Sequence, residues 1–570
     1  MNGAQALVAM LEAYQVKYIF GVPGDTTIPF YDALYDAKDR IQHILARDER
    51  SAAYMADAYA RVSNKPGVCE GPSGGGATYM LPGVAEAFFS SVPVIAMTTD
   101  NAIHYDEKGA LTDVDQKSLF RPVTKWNTLV KRANMLPDLV RKAFRTATTG
   151  RPGAVHLALP KDVLDSDLTQ SDIYAEMPCT EFPAYPAQAD PESLKQAADL
   201  LSAARRPVMV CGGGAVLSRA WPQVIALAEM LSMPVGTTIN GKGAIAEDHP
   251  LSIGVTGGNG GRPYANDIIR EADLVLYVGT KVNYVDTCDW TAPLRQEPPT
   301  IIQMDVDASE IGNNYPVAVG LCGDARLTLH ALLGLLSSTH PGDAAALESK
   351  GQNIALRSND WWAQVTAQAE SFDVPIRPQR VIAALQRSLD PSAIIVADPG
   401  TPTPFLCSQF RVRQAGRHTI LNRAHGSLGY AIPAVIGAKV AAPSQTVVGL
   451  CGDGSFAMSC GELAAIQQLG LPVVLVQFNN SCYGWIKMLQ KLHYHERYFG
   501  VDFRPDTDYV SIARGFGLLA ERVEAPEDLE PAIQRALASQ RPYFLDVLTA
   551  SEVEETPPVD SWLRAIERSS

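Results

Sequence analysis

The stretch Gly452-Asp453-Gly454-Ser455-Phe456, together with the later pair Asn479-Asn480, decides the fold of this chain. An apolar run precedes each part, residues 446–451 before the glycines and residues 471–478 before the asparagines. Both runs have the composition of buried parallel strands. Residues 461–469, which lie between them, have the apolar spacing of a helix. The segment is therefore predicted to be a strand–helix–strand unit.

This unit places Asp453 and Asn480 at the carboxyl ends of neighbouring strands, where open α/β sheets bind their ligands. One carboxylate, one amide oxygen and glycines that allow a close backbone approach suit a hard cation that bridges a diphosphate. Magnesium is the expected ion.

Length and composition bound the class of protein. At 570 residues the chain exceeds one core, so two to four domains are expected. An apolar content of 46% and a charged content of 19% are typical of soluble globular proteins. The net charge of −14 argues against nucleic acid or a membrane surface as the main partner.

Cysteine usage and the N-terminal residues bear on the compartment. The nine cysteines are scattered without C-x-x-C pairs, which favours reduced thiols. The first residues enter an amphipathic helix directly, so we expect no signal peptide, and no apolar run has the length of a membrane span. The expectation is a cytoplasmic protein.

Strand-like and helix-like segments alternate along the chain, which predicts the α/β class with three doubly wound domains and mainly parallel sheets. The predicted domains span residues 1–175, 190–345 and 360–555, followed by a C-terminal tail, 556–570. Two stretches are predicted linkers, residues 179–191 and Pro341-Gly342-Asp343-Ala344-Ala345.

Gly452-Asp453-Gly454 with Asn479-Asn480 resembles the cofactor motif of thiamine-diphosphate enzymes, in the acetolactate synthase and pyruvate oxidase branch. The resemblance covers nearly the whole chain, including residues 120–126 and 150–157. It implies the thiamine-diphosphate-enzyme fold, with a pyrimidine-binding domain, a central nucleotide-type domain and a diphosphate- and magnesium-binding domain, in that order. It also implies that Asp453, Asn480 and the backbone carbonyl of Cys482 bind Mg²⁺.

Glu49 lies where a short predicted strand, residues 41–46, meets a predicted helix. Taken alone, an acidic residue in a first helical turn is usually a surface charge favoured by the helix dipole. Residues 20–24 and 49–56, however, resemble the start of the family's pyrimidine-binding domain. There the matching glutamate hydrogen-bonds a pyrimidine nitrogen and favours the cofactor tautomer that deprotonates the thiazolium. Glu49 is therefore the predicted catalytic residue.

Further cofactor contacts are implied by the resemblance in loops of the first and third domains. They are Gly24, Ser73, Gly400, Thr401, Gly426, Leu428, Gly452, Gly454, Ser455, Tyr483 and Gly484. Leu428 is either an ordinary core residue or a wedge beneath the cofactor that forces a bent conformation, and the flanking glycines favour the wedge. The chain departs from the family pattern at Gly75, Tyr79 and Thr112, which stand where Pro, Asn and a substrate-facing Gln are usual.

The central domain resembles domains that bind FAD in some family members, ADP in others and nothing in several. The candidate nucleotide-site residues are Arg151, Gly213, Gly214, Gly257, Gly258, Asn283, Asp305 and Asp324. FAD or ADP is one interpretation, and a glycine-rich fold with an empty site is the other.

Residues 483–499 resemble a segment that covers the active site in the family. Its Lys, His and Arg side chains suit a carboxylate, phosphate or CoA group, which would make the substrate anionic. The alternative is a solvated amphipathic helix.

The resemblance implies thiamine-diphosphate-dependent cleavage or formation of a carbon–carbon bond in a 2-oxo acid or related carbonyl compound. The loop that starts at Ser73 lacks the active-site histidines of pyruvate and benzoylformate decarboxylases, which favours an acetolactate-synthase-like carboligase. The chief alternative is a 2-hydroxyacyl-CoA lyase or oxalyl-CoA decarboxylase, followed by sulfoacetaldehyde acetyltransferase and pyruvate oxidase. A catalytically silent nucleotide-binding paralogue is opposed by the presence of Glu49 and Asp453. Because the family places these two residues on opposite subunits, a homodimer or homotetramer is expected.

Overall fold

The computed structural model describes residues 1–169, 172–293, 298–338, 340 and 342–569, and within these ranges it contains three six-stranded sheets. The strand registers that we resolve are parallel in all three sheets. The predicted α/β class with three doubly wound parallel sheets is confirmed.

The first sheet is built from the N-terminal part of the chain. Its strands are β1 (Tyr18–Gly21), β2 (Gln42–Leu45), β3 (Gly67–Gly71), β4 (Val94–Asp100), β5 (Trp126–Leu129) and β6 (Val155–Pro160), in the order β2-β1-β3-β4-β6-β5. Its helices are α1 (Gly3–Ala13), α2 (Ile28–Tyr35), α3 (Glu49–Ser63), α4 (Gly75–Phe89), α5 (Gln116–Phe120), α6 (Leu136–Thr148) and α7 (Lys161–Asp165). Leu7, Ile95 and Phe144 lie in its buried core.

The second sheet occupies the middle of the chain. Its strands are β7 (Pro207–Cys211), β8 (Val235–Thr237), β9 (Ser252–Val255), β10 (Leu274–Val278), β11 (Thr300–Asp305) and β12 (Val319–Cys322), in the order β12-β11-β10-β7-β8-β9. The helices here are α8 (Pro191–Ala203), α9 (Gly213–Leu217), α10 (Trp221–Leu231), α11 (Pro263–Glu271) and α12 (Ala325–Leu336).

The third sheet has the strands β13 (Ile394–Ala397), β14 (Thr419–Leu421), β15 (Val447–Gly452), β16 (Val473–Asn479), β17 (Leu519–Val523) and β18 (Tyr543–Leu548). Their order is β14-β13-β15-β16-β18-β17. The helices of this part of the chain are α13 (Ala344–Ala369), α14 (Pro378–Ser388), α15 (Pro402–Gln409), α16 (Ala431–Ala441), α17 (Asp453–Ser459), α18 (Leu463–Gln468), α19 (Gly484–His493), α20 (Tyr509–Gly515), α21 (Pro526–Ala538) and α22 (Asp560–Ser569). Short 3-10 segments in the chain are Ile103–Tyr105, Arg121–Val123, Ala133–Met135, Met177–Thr180 and Cys460–Glu462.

The predicted strand–helix–strand unit is present, with β15 and β16 as neighbours in the third sheet. The helix differs from the prediction in one respect. The predicted helix at residues 461–469 is α18 with its preceding 3-10 turn, and a separate helix, α17, begins at Asp453 itself. The carboxylate therefore lies at a strand-to-helix junction rather than in an open loop.

The second predicted linker and the predicted C-terminal tail both contain helical residues. Pro341 lies outside the described residues, but α13 already begins at Ala344, because the Asp343 side chain accepts the N–H groups of Ala345 and Ala346. The predicted tail contains α22, whose Trp562 is 5% exposed and lies in a small apolar cluster with Met488. Ser570 lies outside the described residues. The domain boundaries themselves stay a prediction.

The chain forms two compact units by its contacts. The first comprises Met1–Tyr185, Asn422–Val447 and Ala457–Leu471, and the second comprises Pro186–Leu421, Val448–Phe456 and the residues from Pro472 onward. Within the described ranges, none of the helices has the length and apolar character needed to cross a bilayer.

Candidate active site

Asp453 is the first residue of α17, directly after β15. Its Oδ1 accepts the N–H of Gly454 at 2.8 Å, and its Oδ2 accepts the N–H of Ser481 at 2.7 Å. The side chain is only 2% exposed. Burial, together with the nearby Glu552 carboxyl group, raises the pKa of Asp453 to about 7 although these N–H groups oppose the shift. The carboxylate is therefore held in one orientation but lacks a compensating positive charge.

Asn480 follows β16 and belongs to the same turn as Ser481 and Cys482. Its Nδ2 donates a hydrogen bond to Glu552, and its Oδ1 accepts a long contact of 3.3 Å from the N–H of Cys482. Ser481 has a φ of 55°, and this left-handed turn directs its N–H to Asp453. The structure thus brings together Asp453, Asn480 and Cys482, the three residues predicted to bind the metal, in the second unit.

Glu552 lies in this group of residues, although the sequence analysis did not predict it as a site residue. It follows β18, and its carboxyl group is 1% exposed. One oxygen accepts a hydrogen bond from the Thr401 hydroxyl, and the other accepts one from Asn480 Nδ2 at 3.1 Å. A Cβ at Gly484 would lie 1.5 Å from Glu552 Oε2, so only glycine leaves room for this side chain. Three predicted cofactor contacts therefore surround one unpredicted carboxyl group.

The residues present fit a bound cation. Across the described parts of the chain, neither Asp453 nor Glu552 pairs with a lysine, arginine or histidine. Uncompensated buried carboxylates are costly, and a cation would offset that cost. No group of three or more His, Cys, Asp or Glu side chains among the described residues could hold a metal, so an ion here would depend on mixed oxygen ligands.

Glycines beside these residues leave space or pack closely, according to position. The positions that a Cβ would take at Gly400 and Gly452 have no atom within 4 Å, so the backbone there is open to a ligand. Gly454 is different, because its Cβ would lie 2.5 Å from the Tyr483 ring. Ser455, in the same helical turn, is 4% exposed.

Glu49 is the first residue of α3 in the first unit. The helix begins there because the Asp48 side chain accepts the N–H groups of Arg50 and Ser51. Glu49 is 8% exposed, and its carboxyl group has no side-chain partner among the described residues. Burial raises its pKa, and the charges of Asp48 and Glu70 raise it further. The Glu49 carboxyl group thus combines burial and a raised pKa with the lack of a side-chain partner in the described ranges, a combination that suits proton exchange with a ligand.

A buried polar group that the sequence did not predict lies close to Glu49. Glu70 accepts hydrogen bonds from the Tyr31 hydroxyl and from His43 Nε2, the latter at 3.3 Å. It reaches His43 on β2 by passing over Gly21 on the intervening strand β1, where a Cβ would lie 1.9 Å from Glu70 Oε1. Burial raises the pKa of Glu70. No local sequence pattern indicates this arrangement, because it depends on the strand order.

Ser73 belongs to a chain of hydroxyl groups in the first unit. Its Oγ lies 2.7 Å from the Thr112 hydroxyl and 3.3 Å from the Thr26 hydroxyl, which in turn lies 2.7 Å from Thr99 Oγ1. Thr112, which stands where the family has a glutamine, adopts a left-handed φ of 64°. These contacts fix the loop that begins at Ser73.

The remaining predicted contacts of the first unit are loop residues. A Cβ at Gly24 would lie 2.5 Å from the Pro72 ring, so the two loops touch. Gly426 has a φ of 77° and open space around it, and Leu428 is half-buried and absent from the described apolar cores. The N–H of His425 donates to Glu86 at 2.8 Å, which anchors this segment within the unit.

The candidate nucleotide residues of the central sheet are largely engaged within the protein. A Cβ at Gly214 would lie 2.8 Å from the Gly279 Cα, so the turns after β7 and β10 pack backbone to backbone. Asp324 caps α12, and Asn283 accepts the N–H groups of residues 285 and 286. Four further candidates also contact other parts of the protein. Gly213 lies beside Asn240, and Gly257, which has a φ of 101°, donates its N–H to the Asn266 side chain. Gly258 donates its N–H to the Val285 carbonyl, and the Asp305 side chain accepts the N–H of Asp307. Arg151, in the first unit, donates to Ser91.

Comparison with known proteins identifies the family. Residues 1–119 match the thiamine pyrophosphate enzyme N-terminal TPP binding domain, residues 194–332 match the central domain, and residues 398–547 match the C-terminal TPP binding domain. The chain belongs to the thiamine pyrophosphate enzyme family.

Similar members of the thiamine pyrophosphate enzyme family cover nearly all of the chain. It is 35% identical to a probable acetolactate synthase large subunit of Methanococcus aeolicus, with 98% of this chain and 94% of the relative aligned. A Methanocaldococcus jannaschii protein of the same description is 36% identical over the same shares. The acetolactate synthase large subunit of Mycobacterium tuberculosis is 32% identical, with 98% and 90% aligned.

These comparisons confirm the prediction of a thiamine-diphosphate-dependent enzyme of the transferase or lyase type. They favour the acetolactate-synthase-like carboligase over the alternatives considered from the sequence. The roles of individual residues stay predictions.

Proposed function

We propose that this enzyme uses thiamine diphosphate and Mg²⁺ to join two small carbonyl compounds, with a 2-oxo acid as donor, as an acetolactate synthase does. The observation that carries the proposal is the buried Asp453 carboxylate, which the turn after Asn480 contacts through the Ser481 N–H, at the ends of neighbouring strands. Similarity to acetolactate synthase large subunits over 98% of the chain supports the reaction class.

Asp453, Asn480 and the carbonyl of Cys482 would hold the Mg²⁺ ion in this proposal. The N–H groups of Gly454 and Ser481 fix the Asp453 carboxylate, so its oxygens need no reorganisation when the ion arrives. The open backbone at Gly400 and Gly452 would admit the diphosphate, with Thr401, Gly454, Ser455, Tyr483 and Gly484 close by.

Glu49 would act on the reacting part of the cofactor. Thiamine diphosphate, when bound, supplies an acidic carbon that adds to a carbonyl group and an electron sink for the carbon–carbon bond that forms or breaks. Burial keeps the Glu49 carboxyl group protonated to a higher pH than an exposed glutamate, so it can hold a proton against a ring nitrogen. Leu428, half-buried between glycines of positive φ, is suited to contact a ligand rather than to fill a core.

The central domain would bind FAD or ADP in the same proposal. Its sheet has the strand order typical of dinucleotide-binding folds, and glycine-rich turns follow β7 and β9. A yellow purified protein would support FAD, and a colourless one that releases adenine nucleotide on denaturation would support ADP.

We also propose a homodimer or homotetramer in the cytoplasm, because the family resemblance places Glu49 and Asp453 on opposite subunits. All nine cysteines lie in the described ranges and none of them forms a disulfide, which supports a reducing compartment. Light scattering coupled to size-exclusion chromatography measures the oligomeric state.

A substrate panel tests the reaction. The purified protein is incubated with thiamine diphosphate, Mg²⁺ and 2-oxo acids or 2-hydroxyacyl-CoAs, singly and in pairs, while carbon dioxide, aldehyde and acyloin are followed together. Carbon dioxide release with stoichiometric acyloin supports the carboligase. Acyl-CoA cleavage, or aldehyde without acyloin, would instead assign a lyase or decarboxylase.

A further inference from the structure

Glu552 contacts three separate segments of the proposed metal and diphosphate site, although its own segment lies outside the matched motif. It accepts the Thr401 hydroxyl hydrogen with one oxygen and the Asn480 amide hydrogen with the other. It also occupies the space that a side chain at Gly484 would need. These three positions follow β13, β16 and the turn before α19, so one carboxyl group connects them.

We propose that Glu552 is a positioning residue that orients the Asn480 amide, so that its nitrogen faces Glu552 and its oxygen faces away from Glu552, toward the turn at Cys482, where it is available to the metal ion. The inference rests on the proposed function, because it concerns the Mg²⁺ that Asp453 and Asn480 would hold. Glu552 itself touches neither substrate nor reacting atoms.

The chemistry of the two side chains carries this orientation. An amide group has a donor end and an acceptor end, and rotation by half a turn about the last bond exchanges them. Both Glu552 oxygens accept hydrogen bonds here, from the Thr401 hydroxyl and from Asn480 Nδ2, so the carboxyl group selects the amide rotamer whose nitrogen faces it. In this structure Nδ2 lies 3.1 Å from Glu552 Oε2, and Oδ1 lies on the side of the Cys482 N–H.

Without Glu552 the Asn480 amide would lose its strongest partner. Its oxygen would keep only the two contacts with Cys482 that the described turn provides, 3.3 Å from the N–H and 3.4 Å from the weakly donating thiol Sγ. A flipped amide would direct two N–H groups at the cation, which repels them. Groups that orient metal ligands typically change metal affinity or activity by about 10–100-fold when they are removed.

The other contact of Glu552 explains why a shorter acid would not serve. The Thr401 hydroxyl donates to Oε1 while Asn480 donates to Oε2, so the carboxyl group bridges the ends of β13 and β16. An aspartate is one methylene shorter and would reach at most one of the two partners. The glycine at position 484 is required for the same reason, since it leaves the path of the longer side chain open.

The test measures Mn²⁺ binding, by the electron paramagnetic resonance signal of the free ion, at saturating thiamine diphosphate. We expect Glu552→Gln to raise the Mn²⁺ dissociation constant by about 10–100-fold, because the new amide can accept or donate and no longer selects the Asn480 rotamer. Glu555→Gln is the matched control. Glu555 lies in the same segment and bonds Arg377 and Gln379, so its loss should change thermal stability and leave Mn²⁺ binding within about twofold.

A second background separates orientation from simple structural support. Asn480→Asp replaces the amide by a carboxylate, which has two equivalent oxygens and nothing to orient. In that background Glu552→Gln still removes a negative charge near the cation but leaves no amide to orient, so it should weaken Mn²⁺ binding by a smaller factor than it does with Asn480. A residue that acted only through its charge or by supporting the fold would weaken binding by the same factor in both backgrounds.

The outcomes divide clearly. Wild-type protein that shows no thiamine-diphosphate-dependent Mn²⁺ binding would overturn the proposed function, and this inference with it. Wild-type binding with an unchanged constant in Glu552→Gln, or a weakening by the same factor in both backgrounds, would overturn the inference alone. If Glu552→Gln does not fold, Glu552→Asp provides the same comparison with the wild type.

Discussion

The first and third sheets have the same strand order, and the central sheet differs from both. When the strands are numbered within each sheet, the first and third sheets have the order 2-1-3-4-6-5, whereas the central sheet has the order 6-5-4-1-2-3. In open α/β sheets, ligands bind where the direction of the strand order reverses. In the third sheet this point lies between β13 and β15, where the open glycines Gly400 and Gly452 are found.

The corresponding point of the central sheet has a different character. There the turns after β7 and β10 contain Gly214 and Gly279, whose backbones are in contact. At the third sheet the reversal point keeps open backbone and a buried carboxylate that has no basic partner among the described residues. The difference teaches that a doubly wound sheet marks the position of a site, while the residues at its strand ends decide which groups a ligand meets there.

The largest effect should come from the first sheet. Glu49→Gln is expected to lower kcat by about 10²–10⁴-fold, because it removes the carboxyl group that exchanges a proton with the cofactor. Binding of thiamine diphosphate, measured by near-ultraviolet circular dichroism, should change little. Steady-state kinetics with the best substrate from the panel provides the measurement, and Glu176→Gln, at a surface ion pair with Arg145, is the control. Full activity in Glu49→Gln would remove the catalytic role.

A pair of aspartate variants compares the third sheet with the central one. Asp453→Asn should raise the Mg²⁺ concentration for half-saturation by more than about 100-fold. In our proposal Asp453 binds the ion directly, and loss of a direct ligand lowers metal affinity more than loss of a group that only orients a ligand. Asp324→Asn changes a helix cap of the central sheet and should leave that concentration unaltered. A titration with Mg²⁺ at fixed thiamine diphosphate measures both. Equal effects of the two variants would mean that the third sheet has no special role in metal binding.

Glycine variants of the central sheet examine its closed turns. Gly214→Ala should destabilise the protein by about 1–3 kcal/mol, because its Cβ would lie 2.8 Å from the Gly279 Cα in a packed interior. Gly213→Ala is the matched control, because the new Cβ would come no closer than 3.3 Å to another atom, the Asn240 Cβ. Denaturant midpoints with unchanged slopes give the comparison. If both variants were equally stable, the close packing of Gly214 against Gly279 would not contribute to stability.

The smallest effect is expected in the hydroxyl chain of the first sheet. Thr112→Val removes the contact of 2.7 Å with Ser73 and should cost about 1 kcal/mol of stability. Thr128→Val, where the hydroxyl makes only a contact of 3.5 Å with a carbonyl, should cost less. Thermal unfolding of both variants checks the order, and the reverse order would show that the Ser73 loop is held by other contacts.

Most of the fold could be predicted from the sequence, and so could the places of Asp453, Asn480 and Glu49 at the ends of strands and the start of a helix. The apolar runs before Asp453 and Asn480 are strands, and Glu49 begins a helix after a strand, as the local patterns indicate. Glu552 could not be found in this way. It lies 72 residues beyond Asn480 and meets it because β18 is the neighbour of β16. Strand order is a property of the whole fold, and no local pattern encodes it.

Glu70 was missed for the same physical reason. It reaches His43 because β1 lies between β3 and β2 and carries a glycine at the crossing point. The predicted linker at residues 341–345 also differs, since α13 begins inside it at Ala344. Glycine and proline predict a turn there, but the Asp343 side chain caps the helix within the same segment.

The central claim is that Glu49 promotes loss of the thiazolium C2 proton of bound thiamine diphosphate. The most direct measurement is the rate of hydrogen–deuterium exchange at that carbon, followed by quenched-flow nuclear magnetic resonance with and without protein. We predict that the wild-type enzyme with Mg²⁺ accelerates the exchange strongly, and that Glu49→Gln lowers the accelerated rate by about 10²–10⁴-fold while the cofactor stays bound. An exchange rate in Glu49→Gln equal to that of the wild type would contradict the claim.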